Sequence, residues 1–344
     1  MAYDAVVLVS FGGPERPEDV MPFLQNVTRG RGVPPERLAE VAEHYQHFGG
    51  VSPINQQSRD LLAAIRADFA AHGLDLPVYW GNRNWHPMLA DTVTQMRDDG
   101  VTRALAFVTS AFGGYSSCRQ YQDDIAAARA AVGPDAPLID KLRQFWDHPG
   151  FVEPHADAVR SALAQLDPAT RAGTRLVFTA HSVPTSMAAN AGPHGGRYEA
   201  QLHEVARLVH AAAAPDLPWD LVWQSRSGPP QVPWLEPDVN DHLAALAAAG
   251  DTTAVVVSPI GFVSDHLEVV WDLDTEARQT AKQHGLDFVR AGTPGIDQRF
   301  VAMVRELVLE RIEPDGITRR RRLGELPMWD TCPTVCCVPT RRPS

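Results

Sequence analysis

The sequence predicts an α/β protein of two similar halves, each a parallel sheet of about four strands flanked by helices. Three observations carry this. Short apolar runs alternate with amphipathic stretches nearly throughout, the grammar of βα units. The pattern restarts after Asp147-His148-Pro149-Gly150. A chain of 344 residues suits two medium domains. The expected divisions are 1–147, 148–314 and an extension over 315–344.

In the first half, apolar runs predict strands at Val6–Val9, Leu76–Trp80, Arg103–Thr109 and Pro137–Asp140. Helical periodicity predicts helices around Asp19–Val27, Pro35–His44, Asn55–His72 and Pro87–Asp98, and another running to Ala131. In the second half, strands are expected at Arg175–Thr179, Trp219–Trp223, Thr253–Ser258 and Leu286–Arg290. The helices between them are expected at Phe151–Leu166, Arg197–Ala213, Pro237–Ala248, Asp265–His284 and Ile296–Ile312. VVLVSFGGP and LVFTAHSVP, each a strand ending in a small-residue loop and a proline, echo each other across the halves. From Glu313 the pattern fails. Arg319–Arg322 is a basic run, read as a solvated segment, and a proline- and cysteine-rich tail follows.

The totals narrow the function. Net charge is -11, from 31 basic and 42 acidic residues. No basic stripe with interleaved aromatics is present, so a nucleic-acid partner is not expected. No apolar run reaches membrane-spanning length. The amino-terminal MAYDAVVLVSFGG lacks a basic leader, so a cytoplasmic location is expected.

The stretch AVVVSPIGFVSDHLEVVWDLDTE, 254–276, places a buried strand before a helix. Ser264 or Asp265 can cap that helix, with Glu268 completing a capping box. At helical spacing Asp265, Glu268, Asp272 and Glu276 fall within roughly an 80° arc, with Leu267, Val270, Trp271, Ala277 and Ala281 on the packing side. Stacked carboxylates repel. The bland reading is a solvated acidic face. The alternative is a row of hard oxygen ligands leading a divalent cation inward. His181, in TAHSVP, also follows a strand. If the two strands are neighbours, His181 and Glu268 face one crevice, where an imidazole opposite a carboxylate can move protons or touch a metal. Arg29 and Arg31, in TRGRG, are either solvated charge or a paired trap for carboxylates. Tyr45 and Ser52 add neutral donors beside a Gly-Gly turn. Of four cysteines, Cys332, Cys336 and Cys337 cluster near the end and Cys118 stands apart. That clustering suggests metal binding.

SFGGPE, TRGRG, HFGGVSPIN, TAHSVP, WQSRSGPPQVPWLEPD and GFVSDHLEVVWDLD occur in this order. In this the chain resembles the ferrochelatases over nearly its whole length, and most of all their actinobacterial, coproporphyrin-using branch. The resemblance implies two Rossmann-like domains with a cleft between them. It implies insertion of ferrous iron, the substrate metal, into coproporphyrin III with release of two protons. His181 and Glu268 would form the metal and proton site, Asp272 and Glu276 an iron or proton path. Phe11, Arg29, Arg31, Tyr45 and Ser52 would meet the porphyrin, the polar ones through its propionates. Cys118, Cys332, Cys336 and Cys337 would hold a [2Fe–2S] cluster, with structural zinc in a four-cysteine site as the chemical runner-up. A monomer is expected. Two positions depart from the coproporphyrin enzymes of the Firmicutes. Phe11 stands where those have a tyrosine that can contact the metal, and His44 where those have an arginine. Protoporphyrin IX as substrate, another metal chelatase of the same build, or a porphyrin carrier are the alternatives.

Overall fold

A computed structural model of the chain describes residues 3–30, 32–228, 231–333 and 336–338. Its frame is two parallel four-stranded sheets. The first is built from β1 (Ala5–Ser10), β2 (Val78–Asn82), β3 (Arg103–Val108) and β4 (Leu138–Lys141) in the order β2-β1-β3-β4. The second, from β5 (Thr174–His181), β6 (Trp219–Gln224), β7 (Ala254–Ser258) and β8 (Asp287–Arg290), has the order β6-β5-β7-β8. The two orders are the same, so the echo between the halves extends to topology. Every strand lies within a few residues of its predicted place.

The strands form where they do because their residues suit burial on both faces. β1 reads AVVLVS and β7 reads AVVVS, and every residue of both is buried. Such unbroken apolar runs mark central strands covered by helices on each side. In each sheet the chain leaves the central strand for one neighbour and returns to pair on its other side, as β5 does with β6 and then β7. That reversal opens a crevice at the strands' carboxyl ends, where open parallel sheets place ligands.

The halves are not independent globules. The last long helix, Gln298–Ile312, packs on Pro149–Leu163 of its own half and on Ile54–Ala71 of the other. Phe300 meets Phe107 and Phe145 at ring separations of 6.1 and 6.0 Å, and Arg305 pairs with Asp68 at 2.8 Å. One apolar core therefore runs from Leu8 and Phe107 through Phe145, Trp146 and Phe151 to Phe178.

The basic run is not a solvated segment, and that expectation is corrected. Arg322 reaches the fully buried Asp147 at 2.6 Å. Arg321 pairs with Glu306 at 3.1 Å and Arg320 with Glu310 at 3.3 Å. Glu310 is itself buried and takes a two-pronged contact from Arg143 at 2.7 and 2.8 Å. The tail thus supplies the cations that the junction between the halves needs. Burial pushes the Asp147 carboxyl up, against the pull of Arg322 and Arg143. Removing one partner of a buried pair costs about 3–5 kcal/mol, because a charge is left uncompensated. Arg322→Ala is therefore expected to lose about 3 kcal/mol of stability at pH 8. The loss should shrink as pH is lowered, because the raised Asp147 carboxyl takes its proton earlier than an ordinary one. Urea unfolding across a pH series measures it.

Candidate active site

His181 closes β5, and the loop after β7 leads into the helix that bears Glu268. Because β5 pairs with β7, the two side chains meet. His181 Nε2 lies 3.8 Å from Glu268 Oε2. Two contacts hold the histidine. Its Nδ1 lies 2.5 Å from the Ser182 carbonyl, and its own carbonyl accepts from Tyr198 Oη at 2.8 Å. Gly261 lets the β7 loop cross the end of β5, since a Cβ there would stand 2.7 Å from that of Ala180.

The helix over 267–283 is not uniformly α-helical. Leu267–Val269 and Arg278–Gln283 flank a π-helical stretch, Val270–Ala277. Such wide turns are rare and gather at functional sites. Leu267, Val269, Leu273, Ala277 and Ala281 are buried on its sheet side. Trp271, expected there, instead faces the first half and stacks on His44. The expected cap is also corrected. His266 caps the helix, its Nδ1 accepting from Val269 N at 3.4 Å. Burial and the neighbouring His181 push His266 down to about 3, so it stays neutral and can accept. Asp265 is drawn aside by Arg290, at 3.0 and 3.1 Å, and does not belong to the row.

The row is Glu268, Asp272 and Glu276. Burial raises Glu268 to about 7. Asp272, buried, is also raised to about 7, by burial first and then by Glu268 and Glu276. Gln224 Nε2 donates to Asp272 Oδ2 at 3.2 Å, and Ser225 Oγ donates to the same oxygen. Sequence reasoning passes over both donors. Gln224 is the residue opposite His181 in the β5–β6 register, which is the available signal. Ser225 holds a left-handed backbone, φ 62°, a strained state for a non-glycine residue that commonly marks a working site.

The facing wall comes from the first half. Phe11, Phe23, Tyr45 and Trp85 pack together, with Phe23 6.3 Å from Phe11, 6.0 Å from Tyr45 and 6.1 Å from Trp85. Burial, and secondarily the Glu268 carboxylate, pushes the Tyr45 phenol above its ordinary value. Ser52 is buried behind this wall, 4% exposed, and its N–H bonds the Pro14 carbonyl at 2.8 Å. Arg29 is exposed and edges a cavity of about 470 Å³ shared with Asn26, Asn84, Trp85 and His86. Arg31 lies outside the described residues. A second cavity, about 180 Å³, sits between the halves and is lined by Gln57, Thr109, Val263 and Thr293. Neither cavity is lined by His181 or Glu268.

The cysteines converge at the other end of the junction. Cys118 is buried, and the Cys332 thiol beside it, as donor, pulls the Cys118 thiol well below its ordinary value. Cys336 Sγ lies 3.5 Å from Cys337 Sγ, which accepts from Gly192 N at 3.0 Å. Among the described residues, no group of three or more His, Cys, Asp or Glu is placed to hold a metal ion.

A family model described as ferrochelatase matches residues 3–312. The chain is 59% identical to the coproporphyrin III ferrochelatase of Nocardia farcinica, covering 100% of this chain and 99% of that one. It is 55% identical to the coproporphyrin III ferrochelatase of Mycobacteroides abscessus, covering 98% of each. It is 53% identical to the ferrochelatase of Rhodopirellula baltica, covering 99% and 95%. Among solved structures, SirB from Bacillus subtilis shares the fold with a TM-score of 0.55 at 11% identity, covering 92% of this chain and 98% of that one.

The raised carboxyls give a stability signature. A group whose folded value lies above its unfolded one keeps its proton while the unfolded chain releases it, so stability falls as pH rises between the two values. For Asp272 that window runs from its ordinary 3.8 to about 7. Asp272→Asn removes the ionising group. The variant should match the parent near pH 4 and melt about 3 °C higher above pH 7, as calorimetry across that range would record.

Proposed function

The chain belongs to the ferrochelatase family, and we propose that it inserts ferrous iron into coproporphyrin III. The products are Fe-coproporphyrin III and two protons. The observation that carries the reading is the meeting of His181 with the Glu268–Asp272 pair at the carboxyl ends of β5 and β7. The coproporphyrin III ferrochelatases at 55–59% identity support the choice of porphyrin.

The chemistry needs two things of the protein. The central nitrogens of a flat porphyrin hide in the ring plane, so the macrocycle must bend before iron can reach them. Contacts at the ring's edge can supply that distortion. The aromatic wall of Phe11 and Tyr45 offers a face for the ring. Arg29 and the Tyr45 hydroxyl offer contacts for propionates, with Ser52 bracing the wall from behind. Phe11 has no ligating atom, so the axial contact available to iron in this reading comes from His181 alone.

The second need is a place for two protons and a cation. Each pyrrole N–H bond breaks as an Fe–N bond forms, and the proton leaves to a base. His181 is one acceptor. A carboxyl near 7, as Glu268 has, can take a proton at neutral pH and pass it on, which one near 4 does poorly. Asp272, held by Gln224 and Ser225, and Glu276 beyond it would receive the cation.

By residue type and number the four cysteines suit a [2Fe–2S] cluster, though among the described residues no three of them stand round one point. Their sulfurs stand as two pairs, Cys118 with Cys332 and Cys336 with Cys337, and a backbone N–H already points at one of them. Four thiolates are the ligand set such clusters use. When bound, the group would supply a cross-link between the tail and the loop after β3, and a one-electron centre.

His181→Ala is expected to lower anaerobic insertion at least about 100-fold while coproporphyrin III still binds, as its absorption shift on titration reports. Purified parent protein with ferrous iron should turn over many equivalents. Binding of one equivalent with no turnover would instead mark a porphyrin carrier. Cys118→Ser is expected to bleach the visible absorption of the purified protein and lower its melting temperature. Red-brown colour surviving that change would remove Cys118 from the ligand set.

A further inference from the structure

The helix over 267–283 makes one contact that the reading above leaves unused. The Trp271 indole stacks on the His44 imidazole, with ring centroids 4.0 Å apart and planes 9° from parallel. His47 and Phe48 meet the same indole edge-on, at 5.6 and 6.2 Å. On its own helix the indole Nε1–H donates to Glu276 Oε1 at 2.9 Å.

The stack joins opposite halves of the molecule. Its first-half partner is the helix Pro35–His47, which has no fully buried residue and rests Leu38, Val41, Ala42 and Tyr45 on the Phe23 cluster of its own half. Glu276 is exposed, and an exposed glutamate samples several rotamers at little cost. A charge-assisted N–H···O bond restricts it and takes one oxygen, leaving Oε2 as a ligand for a hard cation. The neighbouring residue Tyr45 is the one whose phenol feels Glu268. Two consecutive residues at one helix end therefore address the innermost and outermost acids of the row.

We propose that Trp271 is a positioning residue for Glu276, braced by His44 across the cleft, so that the outermost acid is set to receive a divalent cation only while the helix Pro35–His47 is down on the second half. The inference rests on reading Glu268, Asp272 and Glu276 as the cation's path. It orders events: the mouth of the path is assembled by closure, and withdrawal of the helix frees Glu276.

The test is anaerobic insertion kinetics with ferrous iron and coproporphyrin III, on full-length protein, for W271F, H44A, H44F, E276Q and the W271F/E276Q double variant. Phenylalanine at 271 keeps the stack and loses the N–H donor. W271F should raise the KM for iron about threefold to tenfold, the worth of one such hydrogen bond, with kcat and porphyrin affinity within about twofold. H44A should raise the same KM, and H44F, which restores a flat partner, should return it toward the parent value. The double variant should be no worse than E276Q alone. As a readout independent of turnover, the fluorescence that W271F removes should become more accessible to acrylamide in H44A. If E276Q raises the KM and W271F leaves it unchanged, the path stands and the positioning role falls. An additive double variant also sinks the positioning role. If E276Q leaves the KM unchanged, the path reading fails and takes the inference with it.

Discussion

Two carboxyls one turn apart, Asp272 buried and Glu268 at the cleft edge with its side chain 42% exposed, are an unfavourable arrangement, and much of the second half is built to maintain it. Glu268 and Asp272 are each pushed to about 7 by burial, and each disfavours the charge of the other. The offsets are local. A glutamine at the end of β6 and a serine forced into a left-handed backbone both donate to Asp272. A neutral histidine caps the helix start, and a π-helical stretch carries the acids past the strand ends. Structures retain such local strain where it serves a task. Under the proposed function that task would be to keep acceptors that hold or release a proton near neutrality beside an imidazole.

Much of this is legible in the sequence because it depends on short-range pattern. The strands show themselves as apolar runs too continuous for anything but a covered parallel sheet, and His181 and Glu268 are visible as polar residues just past two of them. What is not legible depends on distant partners or on a change of helical pitch. Asp265 looks like part of the acidic row until Arg290, a β8 residue, claims it. Trp271 falls on the packing side of a wheel drawn at α-helical spacing, but the wider π turns shift the phase and send it across the cleft. Arg319–Arg322 reads as solvated charge because nothing nearby in sequence says that Asp147 and Glu310 lie buried within reach of Arg322 and Arg320.

The two halves share a topology and divide the labour. At the end of β5 stands an imidazole with acids beyond the next strand. The corresponding end of β1 leads into Phe11 and a wall of aromatic rings. A duplicated frame has thus been given reactive groups on one side and a flat apolar face on the other, the pairing that a planar, weakly polar ring demands.

The core that runs unbroken from Leu8 to Phe178, with the helix Gln298–Ile312 wedged against a helix of each half, governs how anything enters or leaves. Many two-lobed proteins swing wholesale about a flexible joint. Such a swing would here pull apart the stacked rings of Phe107, Phe145, Phe151 and Phe300 and expose the Arg143–Glu310 pair to water. The lobes are in effect riveted. Passage of a large disc would then fall to the rim of the cleft, while the groups on the far bank stay in register from one cycle to the next.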